Sequence, residues 1–235
     1  MPYVNDKAIH NAKNEYVCWI DIMGTKTKME NSVRTCSIFI FKFHAAILEA
    51  MKNIKDDSVK IYPVMDGAYL TSTTFEDLKK VLITVFQDLA DEFIKEKKFF
   101  CKFLIKASIA YGPIIHGCDV DDNINDDIAL NKNYKNSLLL GLPMIQAYMG
   151  EPKAPPFGVF IHESARAFCP QGEKPLTYKW WQWYYPAYNE KKDELQKSID
   201  EYFKNCRNRS ISIDYSLDRI DEHRKAAEEY FSDVE

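Results

Sequence analysis

The sequence predicts an α/β protein, and three observations favour that class. Short apolar runs of strand length alternate with longer segments whose apolar residues recur every three or four positions. Two strand-like runs flank the sequence Met65-Asp66-Gly67, and Asp-Gly in this setting is a strong hairpin signal. The 235-residue chain is 46% hydrophobic and 28% charged, a mixture typical of globular proteins rather than disordered ones.

The first half of the chain alternates strands and helices. An apolar run at residues 15–21 ends at an acid and is followed by Gly24, which predicts a buried strand and a turn. The other expected elements are a helix at 32–54, strands at 59–64 and 68–72, a helix at 75–95, and strands at 99–111 and 114–116 separated by Gly112-Pro113. This order predicts a sheet with the antiparallel hairpin in its middle.

The second half begins with a loop and ends in helices. We expect a polar loop at 118–135, a helix at 138–151, a strand at 158–161, a short helix at 163–168, an extended aromatic segment at 177–185, and helices at 189–206 and 217–231. The last two helices are highly charged. We therefore predict a main domain over residues 1–186 and a C-terminal helical extension over residues 187–235.

Composition argues against several classes of partner. Lys and Arg total 31 and Asp and Glu total 35, so the net charge of −4 is unlike that of a protein that coats nucleic acid. Residues 1–14 lack the apolar core of a signal peptide, and charged residues interrupt the apolar run at 37–51. The six cysteines form no CxxC pair. We expect a cytoplasmic protein with reduced thiols and with neither a nucleic-acid nor a membrane partner.

Two acids at predicted strand ends suggest a metal site. Asp21 ends the first strand, and Asp66 lies in the hairpin. Two neighbouring carboxylates repel each other unless a cation lies between them, and carboxylates with phosphate oxygens suit Mg²⁺ or Mn²⁺. The spacing is equally compatible with structural roles, in which Asp66 forms the turn and Asp21 caps the next element. The glycine-containing turn at 22–26 precedes a helix and could offer backbone amides to phosphate.

Over residues 16–168 the chain resembles class III nucleotidyl cyclase domains, and more closely the pyrimidine cyclases of bacterial Pycsar antiphage systems. The resemblance is carried by Trp19-Ile20-Asp21-Ile22-Met23-Gly24, Val64-Met65-Asp66-Gly67, Lys106-Ala107-Ser108-Ile109-Ala110-Tyr111-Gly112-Pro113, and Gly141-Leu142-Pro143 with Ala147-Tyr148 and Glu151. It implies a ferredoxin-like fold with a central, mostly antiparallel sheet and flanking helices.

The resemblance also implies roles for individual residues. Asp21 and Asp66 match the family's metal ligands, with the backbone of Ile22 beside them, for two Mg²⁺ or Mn²⁺ ions per site. The implied triphosphate contacts are Met23, Gly24, Thr25, Lys26 and Lys106. The family reaction is cyclisation of a nucleoside triphosphate with release of pyrophosphate: one metal activates the ribose 3′-hydroxyl for attack on the α-phosphorus and the other holds the triphosphate.

Departures from the family pattern bear on the substrate. In purine cyclases one residue reads the base, and the corresponding position in this sequence is Tyr62. The acidic residue that usually accompanies it in adenylate cyclases corresponds to Leu138 here. A tyrosine can stack on a small base, as the pyrimidine branch implies. The Asn and Arg that stabilise the transition state in the family correspond to Ile145 and Met149 in this sequence. Neither apolar side chain can replace them, so other cations are needed. The candidates are Lys106, Lys26, Arg166 and Lys179.

The resemblance implies a cyclase that makes 3′,5′-cyclic UMP from UTP, acting in antiphage defence through a separate cyclic-nucleotide-binding effector. Cyclic CMP is the alternative product. A degenerate domain that binds nucleotide without turnover, and a purine cyclase with an unusual base pocket, are the other hypotheses. Because class III sites form between two cyclase domains and this chain has one, we expect a homodimer.

Overall fold

A computed structural model of the chain describes residues 3–54, 58–208 and 215–232, and it confirms the α/β class. The strands are β1 (Lys13–Ile22), β2 (Lys60–Val64), β3 (Gly67–Ser72), β4 (Ile105–His116), β5 (Leu139–Leu140), β6 (Val159–Ile161) and β7 (Trp180–Trp181). The α-helices are α1 (Thr25–Asn31), α2 (Val33–Met51), α3 (Phe75–Lys95), α4 (Asp126–Leu130), α5 (Lys132–Ser137), α6 (Leu142–Gly150), α7 (Glu163–Ala167), α8 (Lys192–Arg207) and α9 (Leu217–Phe231). The predicted mostly antiparallel sheet with flanking helices and a C-terminal helical extension is present.

The sheet has the strand order β2-β3-β1-β4-β6-β7, with β5 pairing to one end of β4. Among the described strands, β4 and β6 form the parallel pair and all other neighbours are antiparallel. The predicted hairpin is β2–β3, but it forms one edge of the sheet rather than its middle. The reason is that β3 returns beside β1, whose other side is paired to β4.

Side chains alternate between the two faces of β1, as the period of a strand requires. Tyr16, Cys18 and Ile20 lie in the main hydrophobic core, where α2, α3, α8 and α9 cover the sheet. Val17 and Trp19 lie on the opposite face, in a second cluster that includes Ala147 of α6. Asp21 continues this second face, so the alternation directs its carboxylate away from the main core.

Two predicted features of the middle of the chain are wrong. Gly112-Pro113 does not separate two strands, because β4 runs through it and stays paired to β1 from Ile105 to Ile114. Pro113 is tolerated because β5 and β6 pair with β4 at other positions, so its missing N–H deprives no strand of a hydrogen bond. The predicted loop at 118–135 contains the short helices α4 and α5, with Asn125 capping α4 through its side chain.

The C-terminal helices are integrated into the main core. Leu195, Phe203 and Phe231 are fully buried in the same cluster as the sheet and α3. Tyr184 donates a hydrogen bond of 2.7 Å to the carbonyl of Tyr230 in α9. The boundary at residue 187 therefore stays a prediction, and the apolar contacts run across it.

None of the helices within the described residues is long and apolar enough to span a membrane. All six cysteines are free thiols.

Candidate active site

A cavity of about 190 Å³ lies where β1 ends and α1 begins. It is lined by Asp21, Ile22, Met23, Gly24, Thr25, Lys26, Lys106, Glu151, Pro152, Tyr215, Arg219 and His223. Seven of the nine residues predicted for the site line this cavity, and Asp66 and Tyr62 are the two that do not. The lining combines the β1–α1 turn with β4, the residues after α6, and α9, which are distant in sequence.

The sheet register brings Asp21 and Asp66 together. Asp21 is paired to Gly67, the residue after Asp66, across the β1–β3 ladder. Thr25, at the start of α1, donates a short hydrogen bond to the carboxylate of Asp66, which holds that carboxylate beside the β1–α1 turn. Burial, followed by repulsion from Asp66 and Glu151, raises the pKa of Asp21 to about 8. The two predicted carboxylates are therefore close enough to interact electrostatically.

The surroundings of Asp21 fit a divalent cation. Its Oδ1 atom is buried and has no hydrogen-bond partner. A buried carboxylate oxygen without a partner is costly, and a cation held between two acids removes that cost. No group of three or more His, Cys, Asp or Glu side chains placed to hold a metal occurs in the part of the chain that the structure describes. A two-carboxylate site leaves the remaining ligand positions for backbone or phosphate oxygens, as Mg²⁺ sites do.

The turn between β1 and α1 is shaped for close approach of a ligand to the backbone. Gly24 has φ of 72°, a left-handed conformation that glycine adopts without strain, and it provides no side-chain cap for α1. The first amides of a helix have no partner within the helix and can bind phosphate oxygens. The Met23 amide differs, because it donates a 2.8 Å hydrogen bond to the carbonyl of Leu104. We therefore expect Gly24, Thr25 and Lys26, rather than Met23, to offer amides to a ligand.

Lys106 and Glu151 form the second charged element of the cavity. Lys106 is paired to Asp21 across the β1–β4 ladder and is almost completely buried. Burial lowers the pKa of Lys106 to about 8, while Glu151 opposes the change. Burial raises the pKa of Glu151, and Lys106 and then Arg219 oppose that rise. The lysine is thus a buried cation within interaction range of the predicted metal site.

Tyr62 lies outside the cavity, in the second hydrophobic cluster. Its hydroxyl is 2.5 Å from Nδ1 of His116, and Nε2 of His116 is 3.0 Å from a carboxylate oxygen of Glu15. If Nε2 donates to Glu15, Nδ1 accepts from the tyrosine hydroxyl, and all three side chains are buried. The hydroxyl is committed to this chain of hydrogen bonds, and base recognition by Tyr62 stays a prediction.

The other predicted cations are divided between the cavity and the surface. Lys26 lines the cavity and is 4.0 Å from Glu30. Arg166 contacts Glu163 at 3.7 Å in α7, and the Lys179 ammonium lies 4.3 Å from the ring centroid of Trp180. Neither Arg166 nor Lys179 lines the cavity. Ile145 and Met149, at the family's Asn and Arg positions, are exposed apolar side chains of α6.

Sequence reasoning missed the contribution of the C-terminal helix. Tyr215, Arg219 and His223 line the cavity more than 190 positions after Asp21. Burial, followed by the charges of Lys106 and Arg219, lowers the pKa of His223 to about 3, so its imidazole is neutral near pH 7. The spacing of four residues was a visible signal that Arg219 and His223 share a face of α9, but only the tertiary structure brings that face, and Tyr215 just before the helix, to the cavity.

No protein-family model matches this sequence, and no curated protein matches it either. Solved structures with a similar fold are nucleotidyl cyclase domains at low sequence identity. A monomeric double mutant of the guanylyl cyclase domain of the RhoGC fusion protein from the aquatic fungus Blastocladiella emersonii is 14% identical, with a TM-score of 0.49 over 66% of this chain and 82% of that chain.

Two further solved structures are of the same kind. The guanylate cyclase domain of RhGC from Catenaria anguillulae, in complex with GTP, is 15% identical, with a TM-score of 0.47 over 66% of this chain and 81% of that chain. The guanylyl cyclase Cya2 is 16% identical, with a TM-score of 0.40 over 70% of this chain and 90% of that chain. These similarities concern overall fold, so the chemistry has to be inferred from the residues of the cavity.

Proposed function

We propose that this protein is a nucleotide cyclase that converts a nucleoside triphosphate to a 3′,5′-cyclic nucleotide and pyrophosphate. The observation that carries the proposal is the proximity of the Asp21 and Asp66 carboxylates beside the Gly24 turn, with one buried carboxylate oxygen of Asp21 left without a partner. A binding module without metal chemistry has no need of two acids in mutual repulsion. The buried cation of Lys106 next to them suits the polyphosphate of the substrate.

The residues of the cavity have separate roles in this scheme. Asp21 and Asp66, with the backbone of Ile22, would hold two Mg²⁺ or Mn²⁺ ions. When bound, such ions neutralise the triphosphate and promote ionisation of the ribose 3′-hydroxyl. The backbone amides of Gly24, Thr25 and Lys26 would donate hydrogen bonds to the phosphate oxygens, and Lys106 would neutralise charge there. The hydroxyl of Thr25 keeps Asp66 oriented toward the turn.

The bonds that change are defined by the products. The ribose 3′-oxygen forms a bond to the α-phosphorus and releases its proton to water, and the bond from the α-phosphorus to the bridging oxygen of the β-phosphate breaks. Negative charge accumulates on the departing pyrophosphate. We propose that Lys106 stabilises this negative charge, because the lysine is buried beside the two acids. A cation in a low-dielectric site stabilises a negative charge more strongly than a cation in water does.

We propose UTP as the substrate and cyclic UMP as the product, with cyclic CMP as the alternative. This choice depends on the resemblance to pyrimidine cyclases and on the absence of a Lys and acid pair at Tyr62 and Leu138. The same resemblance supports a cytoplasmic role in antiphage defence, with the product acting on a separate effector. Tyr62 is the base contact that this resemblance implies, and in the structure its hydroxyl is bonded to His116.

The test is incubation of the protein with each of the four NTPs and Mn²⁺, followed by identification of products by mass spectrometry. Asp21→Asn and Asp66→Asn should each reduce turnover by about 10³-fold or more, because a neutral amide is a much weaker ligand for Mg²⁺ or Mn²⁺ than a carboxylate. Glu229→Gln, which neutralises an exposed acid of α9, is the matched control and should retain the wild-type rate. A cyclic purine product would overturn the pyrimidine assignment, and full activity in either Asn variant would overturn the metal assignment.

A second candidate function is nucleotide binding without turnover. The specific observation in its favour is that Ile145 and Met149, at the family's transition-state positions, are apolar and exposed. In the same experiment this alternative predicts tight NTP binding with no cyclic product from any of the four nucleotides.

A further inference from the structure

Helix α9 brings one row of polar side chains to the cavity. Tyr215, Arg219 and His223 are spaced four residues apart. Arg219 and His223 lie on one face of α9, and Tyr215 lies two residues before the helix begins. All three line the cavity that contains Asp21 and Lys106. The C-terminal extension therefore forms one wall of the proposed active site.

Ring contacts hold this row in place. The His223 ring stacks on Phe203 of α8 with centroids 6.0 Å apart, and its centroid is 5.2 Å from that of Tyr215. The guanidinium carbon of Arg219 lies 5.5 Å from the centroid of the Tyr215 ring. The Arg219 side chain is exposed, so its head group has room to turn toward a ligand in the cavity.

Arg219 differs from the neighbouring arginines of the extension. Arg207 contacts Asp221 at 2.6 Å, and Arg224 contacts Asp200 at 2.7 Å. Within the described ranges, no carboxylate lies within ion-pair distance of the Arg219 guanidinium. Its charge nonetheless affects Glu151 and Lys106, which places it within electrostatic range of the cavity's charged groups.

One residue that lines the cavity has an unpartnered nitrogen. His223 is 7% exposed, and its Nε2 atom is buried without a hydrogen-bond partner among the residues that the structure covers. A buried polar atom of this kind costs about 1–3 kcal/mol unless a ligand or water pairs with it. Together with the unpartnered Oδ1 of Asp21 in the same cavity, it indicates that a polar ligand completes the site.

We propose that Arg219 binds the polyphosphate of the nucleotide and that Tyr215 and His223 position it. The proposal deepens the proposed cyclase function and depends on it. An arginine can bind two phosphate oxygens at once through its planar fork, which a lysine cannot do. Arg219 would thus supply, from outside the main domain, the cation that Met149 cannot provide.

The experiment measures binding rather than turnover. Isothermal titration with Mn²⁺ present would compare inorganic triphosphate with the tightest-binding of the four NTPs. Arg219→Gln should weaken both by about tenfold or more, which is the typical value of one charged hydrogen bond. Lys225→Gln removes the same charge from an exposed position of α9 and should leave both affinities within about twofold of wild type, inside the range of ordinary surface changes.

A second variant separates charge from geometry. Arg219→Lys should retain only part of the wild-type affinity, because lysine keeps the positive charge but lacks the planar guanidinium group that can bind two phosphate oxygens at once. Thermal melting of each variant checks the fold, which an exposed side chain should not perturb.

Unchanged affinity in Arg219→Gln would overturn this inference while leaving the cyclase proposal intact. An equal loss in Lys225→Gln would also overturn it, because the effect would then be one of general charge. Failure of the wild-type protein to bind or cyclise any NTP would overturn the cyclase proposal, and the assignment of Arg219 with it.

Discussion

The surroundings of Asp21 favour a role in metal binding. The strand that precedes it is apolar, so the carboxylate is half-buried, and the β1–β3 register places Asp66 beside it. Burial and like charge act in the same direction on its pKa. A side chain in this environment is poorly accommodated unless a cation binds, which is why a functional role is favoured over a capping role.

Tyr62 is the residue whose surroundings could not be anticipated. Its partner His116 is 54 positions away, and His116 is in turn paired with Glu15. Nothing in the local sequence of β2 indicates that the hydroxyl is already bonded. A base-reading role inferred from position alone therefore needs the mutational test of substrate preference.

His223 should make a contribution to stability that weakens in mild acid. Its folded pKa of about 3 lies below its ordinary value of about 6.5, so the unfolded chain takes up a proton that the folded chain excludes. The stability contributed by the neutral ring is complete above pH 6.5 and is lost as the pH falls toward 3. Between pH 6.5 and 4.5 we expect this contribution of His223 to fall by about 2 kcal/mol, while Asp21, whose folded pKa is raised to about 8, acts in the opposite direction as the pH falls.

The measurement is urea denaturation across this pH range for the wild type and His223→Gln. The free energy of unfolding of the wild type relative to His223→Gln should fall by about 2 kcal/mol from pH 6.5 to 4.5, because groups common to both proteins cancel in the difference. The difference between the wild type and His10→Gln, which changes an exposed ring, should stay constant. Identical slopes in the wild type and His223→Gln would contradict the assignment of a buried neutral imidazole.

At the scale of elements, the crossing of α6 over β4 positions Glu151. A Cβ atom added at Gly150 would lie 2.3 Å from Oγ of Ser108 and 3.1 Å from the ring of Phe160. The helix can approach the strand this closely only because residue 150 has no side chain. The close approach brings Glu151, the next residue, to Lys106, two positions before Ser108 on the same face of β4.

Gly150→Ala should therefore destabilise the protein by about 1–3 kcal/mol, as overpacking does in a close-packed interior. Ser108→Ala should be nearly neutral, since its buried hydroxyl has no hydrogen-bond partner in the described structure. The double variant should recover about 1 kcal/mol, measured as the coupling energy in urea denaturation. Additive effects of the two substitutions would contradict this contact as the cause.

Helix periodicity was the most reliable guide to the elements. The predicted helices at 75–95 and 217–231 are confirmed as α3 and α9, because both have clear amphipathic spacing and side-chain N-caps, at Thr74 and Ser216. Short elements were less predictable. α1 follows an uncapped glycine, and the strand at 139–140 depends on pairing with β4 rather than on any local pattern.

At the scale of the whole molecule, α6 presents an unusually apolar outer surface. Its exposed apolar residues, with the neighbouring strand residue, are Leu140, Leu142, Ile145, Tyr148 and Met149. A contiguous apolar surface of this kind is typical of an interface between proteins. The homodimer implied by the resemblance to class III cyclases would cover it with a second copy of the chain.

We expect Ile145→Glu to weaken the homodimer by about tenfold or more, because a buried unpaired charge at an interface costs several kcal/mol. Leu48→Glu, at an exposed apolar position of α2, is the matched control and should leave the dimer intact. Light scattering after size-exclusion chromatography, over a range of concentrations, measures both. A wild-type protein that stays monomeric at high concentration while turning over NTP would refute the homodimer.

The sequence by itself determined the α/β class, the positions of the longer helices, the hairpin and the two acids. These depend on periodicity and on residues that are neighbours in the chain, which local physics governs. The tertiary structure alone decided that the hairpin forms an edge, that the Tyr62 hydroxyl binds His116, and that α9 closes the cavity. Such contacts join residues tens to hundreds of positions apart, and they arise because the faces of different elements bury their apolar surfaces together, a choice that no single segment encodes.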